Sequence, residues 1–457
     1  MNYSIIQKSQ LEGSNRLDAE YYQPEYLEVE ELLRNQPFKT IKQLSDGVFS
    51  GPFGSTLTSE SYIEEGIPFV RISNIQDVFV RNDGLVFISE EEHKRIYSSH
   101  LSPGDLVLSK IGTVGRLSVI PDELGEVNIS ENNIGIRISN LSSQERASLL
   151  FFLLSRYGQN QIVRRGSGNI QLKLNISDIE DIKIPIFNDA IESRLFFLYK
   201  QVINLDEQSR LKYLEAENLL LEELGLKDFK PREDLSFVVN YSDVKKAERM
   251  DADYFQPKYA EILERIKNTN GKKLEDLASI KKGIEPGSEA YQEEGKHFIR
   301  VSSLSKNGID NKDQKYLSED LYQQLKADFE PKVGEIILTK DATPGVAFVI
   351  KENIEGIISG GILRLQLKEE IEPEYLALCL NSIIGKMQAE KDCGGSIIIH
   401  WRPEQIKNVS IPILSKSTQL KIADLVRKSH EARKKSKELL EEAKRKVEEM
   451  IEKGDKK

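Results

Sequence analysis

The sequence predicts a mixed α/β (α+β) protein in which one globular arrangement is present twice and each copy is followed by a long helix. Two observations support this prediction. Short apolar runs of strand length are punctuated by Gly, Asn and Ser, as strands and turns require. In addition, blocks of sequence recur roughly 230 residues apart, which indicates an internal duplication.

The duplication is clearest in three blocks that keep their order. The first block is Arg-Leu-Asp-Ala-Glu-Tyr-Tyr-Gln-Pro at 16–24, which recurs as Arg-Met-Asp-Ala-Asp-Tyr-Phe-Gln-Pro at 249–257. The second is Gly-Ile-Pro-Phe-Val-Arg-Ile-Ser at 66–73, which recurs as Gly-Lys-His-Phe-Ile-Arg-Val-Ser at 295–302. The third is Gly-Asp-Leu-Val-Leu-Ser-Lys at 104–110, which recurs as Gly-Glu-Ile-Ile-Leu-Thr-Lys at 334–340. An Ile-Pro pair closes each copy, at 184–185 and at 411–412. The two halves are therefore predicted to be structural copies whose details have diverged.

Each copy has the same predicted order of elements. It opens with a short helix after the repeated proline, continues through strands and turns, enters an amphipathic helix, and passes a Gly-rich turn before its last strand. The predicted helices are 25–33 and 258–266 at the start, then 145–158 and 372–385; the strands of the first copy include 67–72, 106–108 and 134–138. The predicted globules span 1–187 and 228–414.

A long helix is predicted after each globule, within 188–227 and within 415–457. Asn188–Gly225 and Ser415–Lys453 contain no proline, and Gly225 and Gly454 fit helix ends. Each helix has a predicted seam, that is, a stripe of apolar or small residues along one face. In the first helix it consists of Leu195, Leu198, Val202 and Leu205 and, after a slip in register, Leu214, Leu221 and Leu224. In the second helix it consists of Leu425, Ala432, Ser436, Leu439, Ala443 and Met450. Helices of ~38 residues are about 57 Å long. Such narrow stripes predict that the two helices pack on each other as in a coiled coil.

The overall charge gives an ambiguous indication of the partner. There are 64 Lys and Arg against 74 Asp and Glu, for a formal net charge of −10. DNA-binding domains usually carry a basic surplus, which argues against nucleic acid, although a total hides local patches.

The compartment is expected to be the cytoplasm. Two cysteines, Cys379 and Cys393, cannot form a disulfide framework or a four-ligand zinc site. The longest apolar run, Ala147–Ser155, is about half of the ~20 residues that a membrane-spanning helix needs. The start of the sequence also lacks the basic and apolar stretches of a signal peptide.

Familiar catalytic motifs are missing from the sequence. It contains no phosphate-binding Gly-x-x-x-x-Gly-Lys-Ser/Thr loop, no His-Glu-x-x-His pair and no Pro-Pro dipeptide, so the Asn/Asp-Pro-Pro-aromatic motif of amino-methyltransferases is absent. Acidic pairs such as Glu64-Glu65 fit a solvated surface. The sequence therefore favours a binding protein without catalytic or metal-binding residues of its own.

A duplicated globule suits a target with approximate two-fold symmetry, and duplex DNA is such a target. Candidate DNA-binding residues are polar or cationic side chains near predicted turns, since phosphates attract cations and base edges need donors and acceptors. They are Ser55, Thr56, Lys110, Thr113, Arg116, Arg164, Arg165, Asn169 and Lys173 in the first copy, and Ser288, Lys340, Thr343 and Arg402 in the second.

Each candidate also has a structural interpretation. Lys110 and Lys340 could be solvated lysines at strand ends, although both are followed three residues later by threonine. Arg71 and Arg300 lie inside a strand pattern and fit a structural ion pair equally well, and Trp401 is expected to be packed in a core.

The ordered blocks, present twice, resemble the specificity (S) subunits of type I restriction–modification systems across essentially the whole chain. The resemblance implies two target-recognition domains, each of which reads one half of a bipartite DNA sequence. It also implies that 188–225 and 415–454 are antiparallel spacer helices that set the gap between the half-sites and dock the methyltransferase subunits.

The resemblance further implies a non-catalytic chain that assembles on double-stranded DNA. Its expected partners are two adenine-N6 methyltransferase (M) subunits, which bring S-adenosylmethionine, and possibly restriction (R) subunits, which bring ATP and Mg. Partners that supply positive charge would explain the acidic total, so weak, salt-sensitive DNA binding is expected of the isolated chain. One departure from the family pattern concerns docking: Gln419 lies where a glutamine is expected, whereas the first copy has Glu192.

Two other classes of function stay open at this point. One is a self-contained nuclease or DNA-modifying enzyme with a dispersed active site, and the other is a helical scaffold whose globules bind protein. The sequence gives neither the half-sites nor the gap length, because base-reading residues are the most variable feature of the family.

Overall fold

The computed structural model describes residues 4–9, 11, 16–52, 57–76, 78–82, 84–168, 172–310, 314–393 and 399–453. The chain forms two compact units. Unit 1 consists of Met1–Asn204 together with Ser436–Lys457, and unit 2 consists of Leu205–Lys435. The division falls inside both long helices, so each unit contains one part of each; the globule boundaries expected at 187 and 414 stay a prediction.

Unit 1 alternates short strands with helices. Its helices are α1 (Pro24–Arg34), α2 (Ile41–Leu44), α3 (Glu90–Arg95), α4 (Ser143–Leu154), α5 (Arg156–Arg165), α6 (Ile176–Glu180) and the first part of α7 (Asp189–Glu223). Its strands are β1 (Phe38–Thr40), β2 (Gly47–Ser50), β3 (Ile67–Val70), β4 (Val86–Ile88), β5 (His100–Leu101), β6 (Leu106–Ser109), β7 (Leu117–Val119), β8 (Val127–Ile129), β9 (Asn133–Arg137) and β10 (Lys183–Pro185). Single 3₁₀ turns occupy Ala19–Tyr22, Ser59–Ser61, Ile72–Asn74, Tyr97–Ser99 and Asp122–Leu124.

Unit 2 contains the same kinds of elements. Its helices are the last part of α7, α8 (Tyr241–Ala247), α9 (Pro257–Lys267), α10 (Leu274–Leu277), α11 (Glu319–Phe329), α12 (Pro373–Asn381), α13 (Ile383–Cys393), α14 (Pro403–Lys407) and the first part of α15 (Lys416–Lys453). Its strands are β11 (Lys272–Lys273), β12 (Ala278–Lys282), β13 (Lys296–Ile299), β14 (Leu304–Ser305), β15 (Gly308–Ile309), β16 (Lys315–Leu317), β17 (Ile336–Thr339), β18 (Ala347–Val349), β19 (Gly356–Ile358), β20 (Ile362–Leu367) and β21 (Ser410–Ile411). Single 3₁₀ turns occupy Ala252–Phe255, Ser288–Ala290 and Val301–Ser303.

The main sheets of the two units have the same strand order, which confirms the predicted duplication. In unit 1 this sheet runs β2-β9-β6-β7, and its counterpart in unit 2 runs β12-β20-β17-β18. The second sheet runs β4-β3-β8-β5 in unit 1 and β16-β13-β19 in unit 2, and both contain a matched parallel pair, β3 with β8 and β13 with β19. The Ile-Pro strands β10 and β21 pair with β1 and β11 respectively.

The prediction of one amphipathic helix in each copy is wrong, because two helices occupy that stretch. Ser155 separates α4 from α5 and Ser382 separates α12 from α13, both with extended backbone. Each serine hydroxyl donates back to a carbonyl three residues earlier, Phe152 in unit 1 (2.6 Å) and Cys379 in unit 2 (2.9 Å). A side chain that bonds its own backbone competes with the helical pattern. The first helix of each pair is buried on nearly every face, so it has no polar side.

A glycine follows each break and allows the second helix to fold back closely. A Cβ added at Gly158 would lie 2.2 Å from the carbonyl oxygen of Phe152, and one at Gly385 would lie 2.1 Å from that of Leu380. Only glycine fits such a close approach of two backbones. The sharp corner therefore depends on the Ser and the Gly that recur together.

The long helices are confirmed, and Gly225 ends α7 in the left-handed region (φ 63°), as predicted. Gly454 lies outside the described residues. Within unit 1, Leu195, Leu198 and Val202 share a core with Val447 and Ile451. Arg194 donates to Glu442 (2.9 Å) and Ser436 donates to the Val202 carbonyl (3.3 Å). The partner positions therefore fall along α15 as they rise along α7, so the two helices pack antiparallel within unit 1.

The predicted slip in the α7 seam does not occur. Within unit 2 the seam continues through Ser209, Tyr213 and Ala216, while Leu214 is 45 % exposed. The hydroxyl of Ser209 lies 3.2 Å from that of Ser429 on α15, and Ser429 Oγ donates to the Ser209 carbonyl (2.7 Å). The seam therefore continues through a small polar residue, Ser209, and not through the predicted Leu214.

Candidate nucleic-acid interface

The first candidate cluster lies in unit 1, where strand β6 ends. The chain leaves the sheet at Lys110, whose backbone N–H donates to the carbonyl of Asn132 (2.9 Å). The Lys110 ammonium donates to the hydroxyl of Ser50, the last residue of β2 (2.9 Å). The turn that follows passes through Gly112 at φ 78°, a left-handed conformation that favours glycine.

A second segment, 172–174, lies against this turn. Ile111 and Lys173 form an antiparallel bridge, and the N–H of Leu174 donates to the carbonyl of Lys110 (3.0 Å). The predicted cations Lys110 and Lys173, which are distant in the sequence, are thereby brought together.

Lys110 and Lys173 face each other as like charges. Burial, followed by the charge of Lys173, lowers the pKa of Lys110, and Glu131 acts in the opposite direction. An anion placed beside the two ammonium groups would relieve their repulsion. The Ser50 hydroxyl donates to the carbonyls of Glu131 (3.1 Å) and Asn133 (3.2 Å), so it acts here as the acceptor that positions Lys110. The cluster can therefore hold a phosphate or contact the acceptor atoms of a base.

Unit 2 repeats the backbone arrangement at the end of β17. The N–H of Lys340 donates to the carbonyl of Gly361 (2.9 Å), and the N–H of Trp401 donates to the carbonyl of Lys340 (2.8 Å). Asp341 and His400 form an antiparallel bridge, as Ile111 and Lys173 do in unit 1. Lys340 thus corresponds to Lys110, Asp341 to Ile111, and His400 to Lys173.

The side chains at these matched positions differ in charge. Asp341 accepts hydrogen bonds from Lys340 Nζ (2.5 Å) and from His400 Nδ1 (2.8 Å). Burial acts to raise the pKa of Asp341, but the hydrogen bonds from Lys340 and His400 hold it below its usual range. Unit 1 therefore presents two like cations where unit 2 presents a carboxylate between two basic groups.

The segment after His400 is anchored in the core of unit 2. Trp401 is fully buried, which confirms that it is packed, and its indole N–H donates to Asp392 Oδ2 (3.0 Å). Gln405 Nε2 donates to the Asp392 carbonyl (3.2 Å). The backbone that carries His400 is therefore fixed at its C-terminal side.

The repeated Arg-x-Asp motif has a structural role in unit 1. Arg16 donates to both carboxylate oxygens of Asp18 (2.6 Å each), and its guanidinium also donates to the carbonyls of Arg165 (3.3 Å) and Gly166 (3.1 Å). These carbonyls end helix α5, where a cation is favourable. In unit 2, Arg249 makes the same paired contact with Asp251 (2.8 and 2.6 Å) and donates to the Asp392 carbonyl (2.8 Å).

Two predicted DNA-binding arginines are engaged inside unit 1. Arg164 donates to Glu30 (2.7 Å) and to the Tyr21 carbonyl (2.8 Å), and its side chain is 8 % exposed. Arg165 donates to the Gln161 carbonyl (2.9 Å), and burial lowers its pKa. The Arg164 guanidinium thus holds α5 against α1. Because both arginines make contacts inside unit 1, neither belongs to the proposed DNA surface.

The other predicted residues lie near the two turns or apart from them. Thr113 and Thr343 are exposed at matched positions in their turns, and Arg116 is half-buried beside the first. Arg402 is exposed at the start of α14, where its N–H donates to Gln405 (3.1 Å). Ser288 is exposed at the start of its own 3₁₀ turn, Ser288–Ala290. Ser55, Thr56 and Asn169 lie outside the described residues.

Three residues of the matched clusters were not predicted, namely Ser50, Asp341 and His400. The sequence held a signal for His400, because aligning the copies backward from Ile-Pro at 184–185 and 411–412 places it at the position of Lys173. Ser50 is adjacent to Lys110 only through the sheet.

The surroundings of both cysteine thiols disfavour the thiolate. Burial raises the pKa of Cys379 to about 12 and that of Cys393 to about 11. Among the residues that the structure describes, no group of three His, Cys, Asp or Glu side chains could hold a metal ion. Within the same residues, no helix is long and apolar enough to span a bilayer.

Comparison with known families identifies the domain in the second half of the chain. Residues 266–445 match the model of the type I restriction modification DNA specificity domain. This range covers most of unit 2, including the turn at Lys340 and the His400 segment. Over these residues the resemblance predicted from the sequence is confirmed.

Solved structures of similar proteins extend over nearly the whole chain at low identity. The type I restriction–modification S subunit from M. genitalium is 15 % identical, with 92 % of this chain and 96 % of that chain covered and a TM-score of 0.40. The HsdS subunit from Thermoanaerobacter tengcongensis is 14 % identical, with 92 % and 97 % covered and a TM-score of 0.30. Because these identities and TM-scores are low, the functional conclusion depends on the match of residues 266–445 to the domain model and not on these structures.

Proposed function

Since residues 266–445 match the model of the type I restriction modification DNA specificity domain, we propose that this chain is the DNA sequence-specificity subunit of a type I restriction–modification complex. Each globule reads one half of a bipartite target. The domain match carries this proposal, and the repeated strand order of unit 1 supports its extension to the first half of the chain.

The matched turns support two different half-sites. Both units hold the turn and the following segment by the same backbone hydrogen bonds, yet unit 1 presents Lys110 and Lys173 where unit 2 presents Lys340 and His400. A common scaffold with different polar side chains is what two readers of different sequences require, because specificity depends on base-edge donors and acceptors.

The proposed DNA surface is small and only locally basic. Its members in unit 1 are Lys110, Thr113, Arg116 and Lys173, and in unit 2 they are Thr343, His400 and Arg402. Lys340 is only 8 % exposed and its ammonium donates to Asp341, so it holds that carboxylate in place instead of lying on the surface. With a chain charge of −10, most phosphate neutralisation must come from partner subunits.

The partners are two adenine-N6 methyltransferase subunits, which bind S-adenosylmethionine and carry out the chemistry. Restriction subunits with ATP and Mg join where the system encodes them. This chain is non-catalytic in the proposal, and α7 and α15 dock the methyltransferases and set the gap between half-sites. Two long helices that pack antiparallel along polar and small residues support a spacer role.

Salt dependence tests the division of labour between this chain and its partners. We expect the isolated chain to bind the target duplex weakly, with affinity that falls steeply as salt rises, and the complex to bind it tightly and specifically. Titration of labelled duplex at 50 and 200 mM salt, with and without the methyltransferase, measures both. Equal affinity and specificity of the isolated chain would contradict the proposal.

A globule exchange tests the proposed function itself. Residues 228–414 are replaced by the equivalent globule of a related chain, and methylated positions are mapped in DNA from cells that also express the methyltransferase. One half of the target is expected to change while the other half stays. A self-contained enzyme or a protein-binding scaffold would leave the target unchanged or show no target at all, and the matched exchange of 1–187 provides the control.

A further inference from the structure

The Asp341–His400 pair is the clearest feature of unit 2 that lacks a counterpart in unit 1. Its positions correspond to Ile111 and Lys173, which form the same backbone bridge. The exchange of an apolar residue for Asp and of Lys for His changes the chemistry that this turn offers. The difference is confined to side chains, because the backbone hydrogen bonds around Lys110 and Lys340 are conserved between the units.

The carboxylate determines which nitrogen of the ring carries the proton. Asp341 is hydrogen-bonded to Lys340 Nζ and to His400 Nδ1, and its pKa is held low by these two groups although burial opposes them. An ionised carboxylate can only accept, so His400 Nδ1 is the donor. In the neutral ring Nε2 is then an acceptor, as in other histidines oriented by a carboxylate.

The ring is both accessible and positioned. The side chain of His400 is 59 % exposed, whereas Asp341 is 24 % exposed. On the next residue, the buried Trp401 fixes the backbone through Asp392 and through its own N–H to the Lys340 carbonyl. A solvent-exposed polar side chain whose orientation is already fixed by its neighbours loses little conformational freedom when it binds a ligand.

We infer that His400 is a specificity-determining residue of unit 2, and this inference rests on the proposed function. His400 Nε2 accepts a hydrogen bond from the exocyclic amine of a cytosine or an adenine in the major groove, and Asp341 positions the ring. Those amines are the donors that the major groove presents, whereas G O6 and N7 and T O4 are acceptors. Lys173, at the matched position of unit 1, is instead a donor and favours an acceptor base.

The inference is tested by replacing the acceptor with a donor. The chain is expressed as wild type and as His400→Lys with its methyltransferase, and the methylated target is read by modified-base sequencing. At one position of the half-site read by unit 2, a wild-type C, which presents only a donor, is expected to give way to G, whose O6 and N7 both accept. A wild-type A is expected to be joined by G as a tolerated base, because adenine N7 also accepts. The half-site read by unit 1 is expected to stay unchanged.

A second variant keeps the test decisive if His400→Lys abolishes methylation. His400→Gln retains an acceptor oxygen and is expected to keep the wild-type target, so loss with Lys and retention with Gln also support the inference. Asp341→Asn no longer fixes the tautomer and is expected to relax the same position. Gln323→Lys on α11, which adds the same charge to unit 2, is the control.

Three results would overturn the inference. They are an unchanged target in His400→Lys, a change that falls in the other half-site, and loss of methylation in both His400 variants while the complex still assembles. A wild-type chain that directs no methylation at all would instead contradict the proposed function, so the two failures are distinguishable.

Discussion

At the residue scale, the lysines that follow strands β6 and β17 meet different partners. Lys110 donates to Ser50, whereas Lys340 donates to Asp341, which also accepts from His400. The recurrence of Lys110 as Lys340 was visible in the sequence and predicted that both lie at strand ends. Ser50 and His400 were not visible as partners, because the sheet brings Ser50 to Lys110 and the fold brings His400 to Asp341.

Arg164 shows the opposite error. A run of cations and amides with glycines fits a phosphate-binding loop in composition, yet Arg164 lies on a helix and faces Glu30 and Tyr21. Composition cannot separate an inward arginine from an outward one where a helix ends in a loop, because the helical phase decides it.

His430 gives a prediction for pH. It is partly buried beside Tyr213 and Phe348, its Nε2 donates to the Lys306 carbonyl (3.2 Å), and Nδ1 has no hydrogen-bond partner among the described residues. Burial, with the charges of Lys351 and Arg433, lowers its pKa to about 4. The folded state therefore disfavours the charged ring, and its stability is expected to fall as the pH drops from about 6.5 towards 4.

The contribution of His430 is measured as a difference. Between pH 6.5 and 4, the wild-type histidine is expected to lower the free energy of unfolding by about 3 kcal/mol. His430→Gln keeps a donor for the Lys306 carbonyl but cannot titrate, so this loss of stability is expected to be absent in the variant. Chemical denaturation of both proteins at several pH values gives the two curves. Parallel curves for wild type and His430→Gln would contradict the burial of this ring.

At the element scale, hydrophobic periodicity placed the starts of the long helices within one residue of those observed. A helical pattern that is sustained over three or more turns leaves few alternative positions for the helix. It failed at the broken helix pairs. A single apolar run with no Pro gives no sign that Ser155 and Ser382 turn the chain, and the information lies in the Ser and Gly that recur at equal spacing in both copies.

The corner between α4 and α5 provides a prediction of stability. Gly158→Ala places a Cβ 2.2 Å from the carbonyl oxygen of Phe152, so one backbone must move. We expect unit 1 to lose roughly 2–4 kcal/mol, above the ~1 kcal/mol range of an ordinary point substitution. Thermal or chemical denaturation measures the loss, and Ser167→Ala at an exposed position is the control. A loss below about 1 kcal/mol would contradict the close approach.

The spacer helices give a prediction about the target. One heptad added to each of α7 and α15 lengthens the pair by about 10 Å, on the order of three base pairs of duplex. The tolerated gap is expected to widen by that amount while both half-sites stay the same, because the globules are untouched. Modified-base sequencing reads the gap directly. An insertion in α7 alone, which breaks the register of the seam, is expected to abolish methylation.

At the scale of the whole molecule, the duplication was the most reliable inference from the sequence. Order, spacing and the closing Ile-Pro pairs predicted two copies, and the strand orders β2-β9-β6-β7 and β12-β20-β17-β18 confirm them. The side chains that distinguish the copies were not predictable in the same way, since nothing in their local sequence states which face of a turn they occupy.

The central claim is that this chain selects a split DNA sequence for a methyltransferase that cannot select one alone. The most direct test is modified-base sequencing of DNA from cells that express the methyltransferase with or without this chain. The account predicts a two-part motif, methylated on adenine in both strands, that disappears when the chain is deleted. Methylation that is independent of the chain, or absent although the complex has formed, would contradict it.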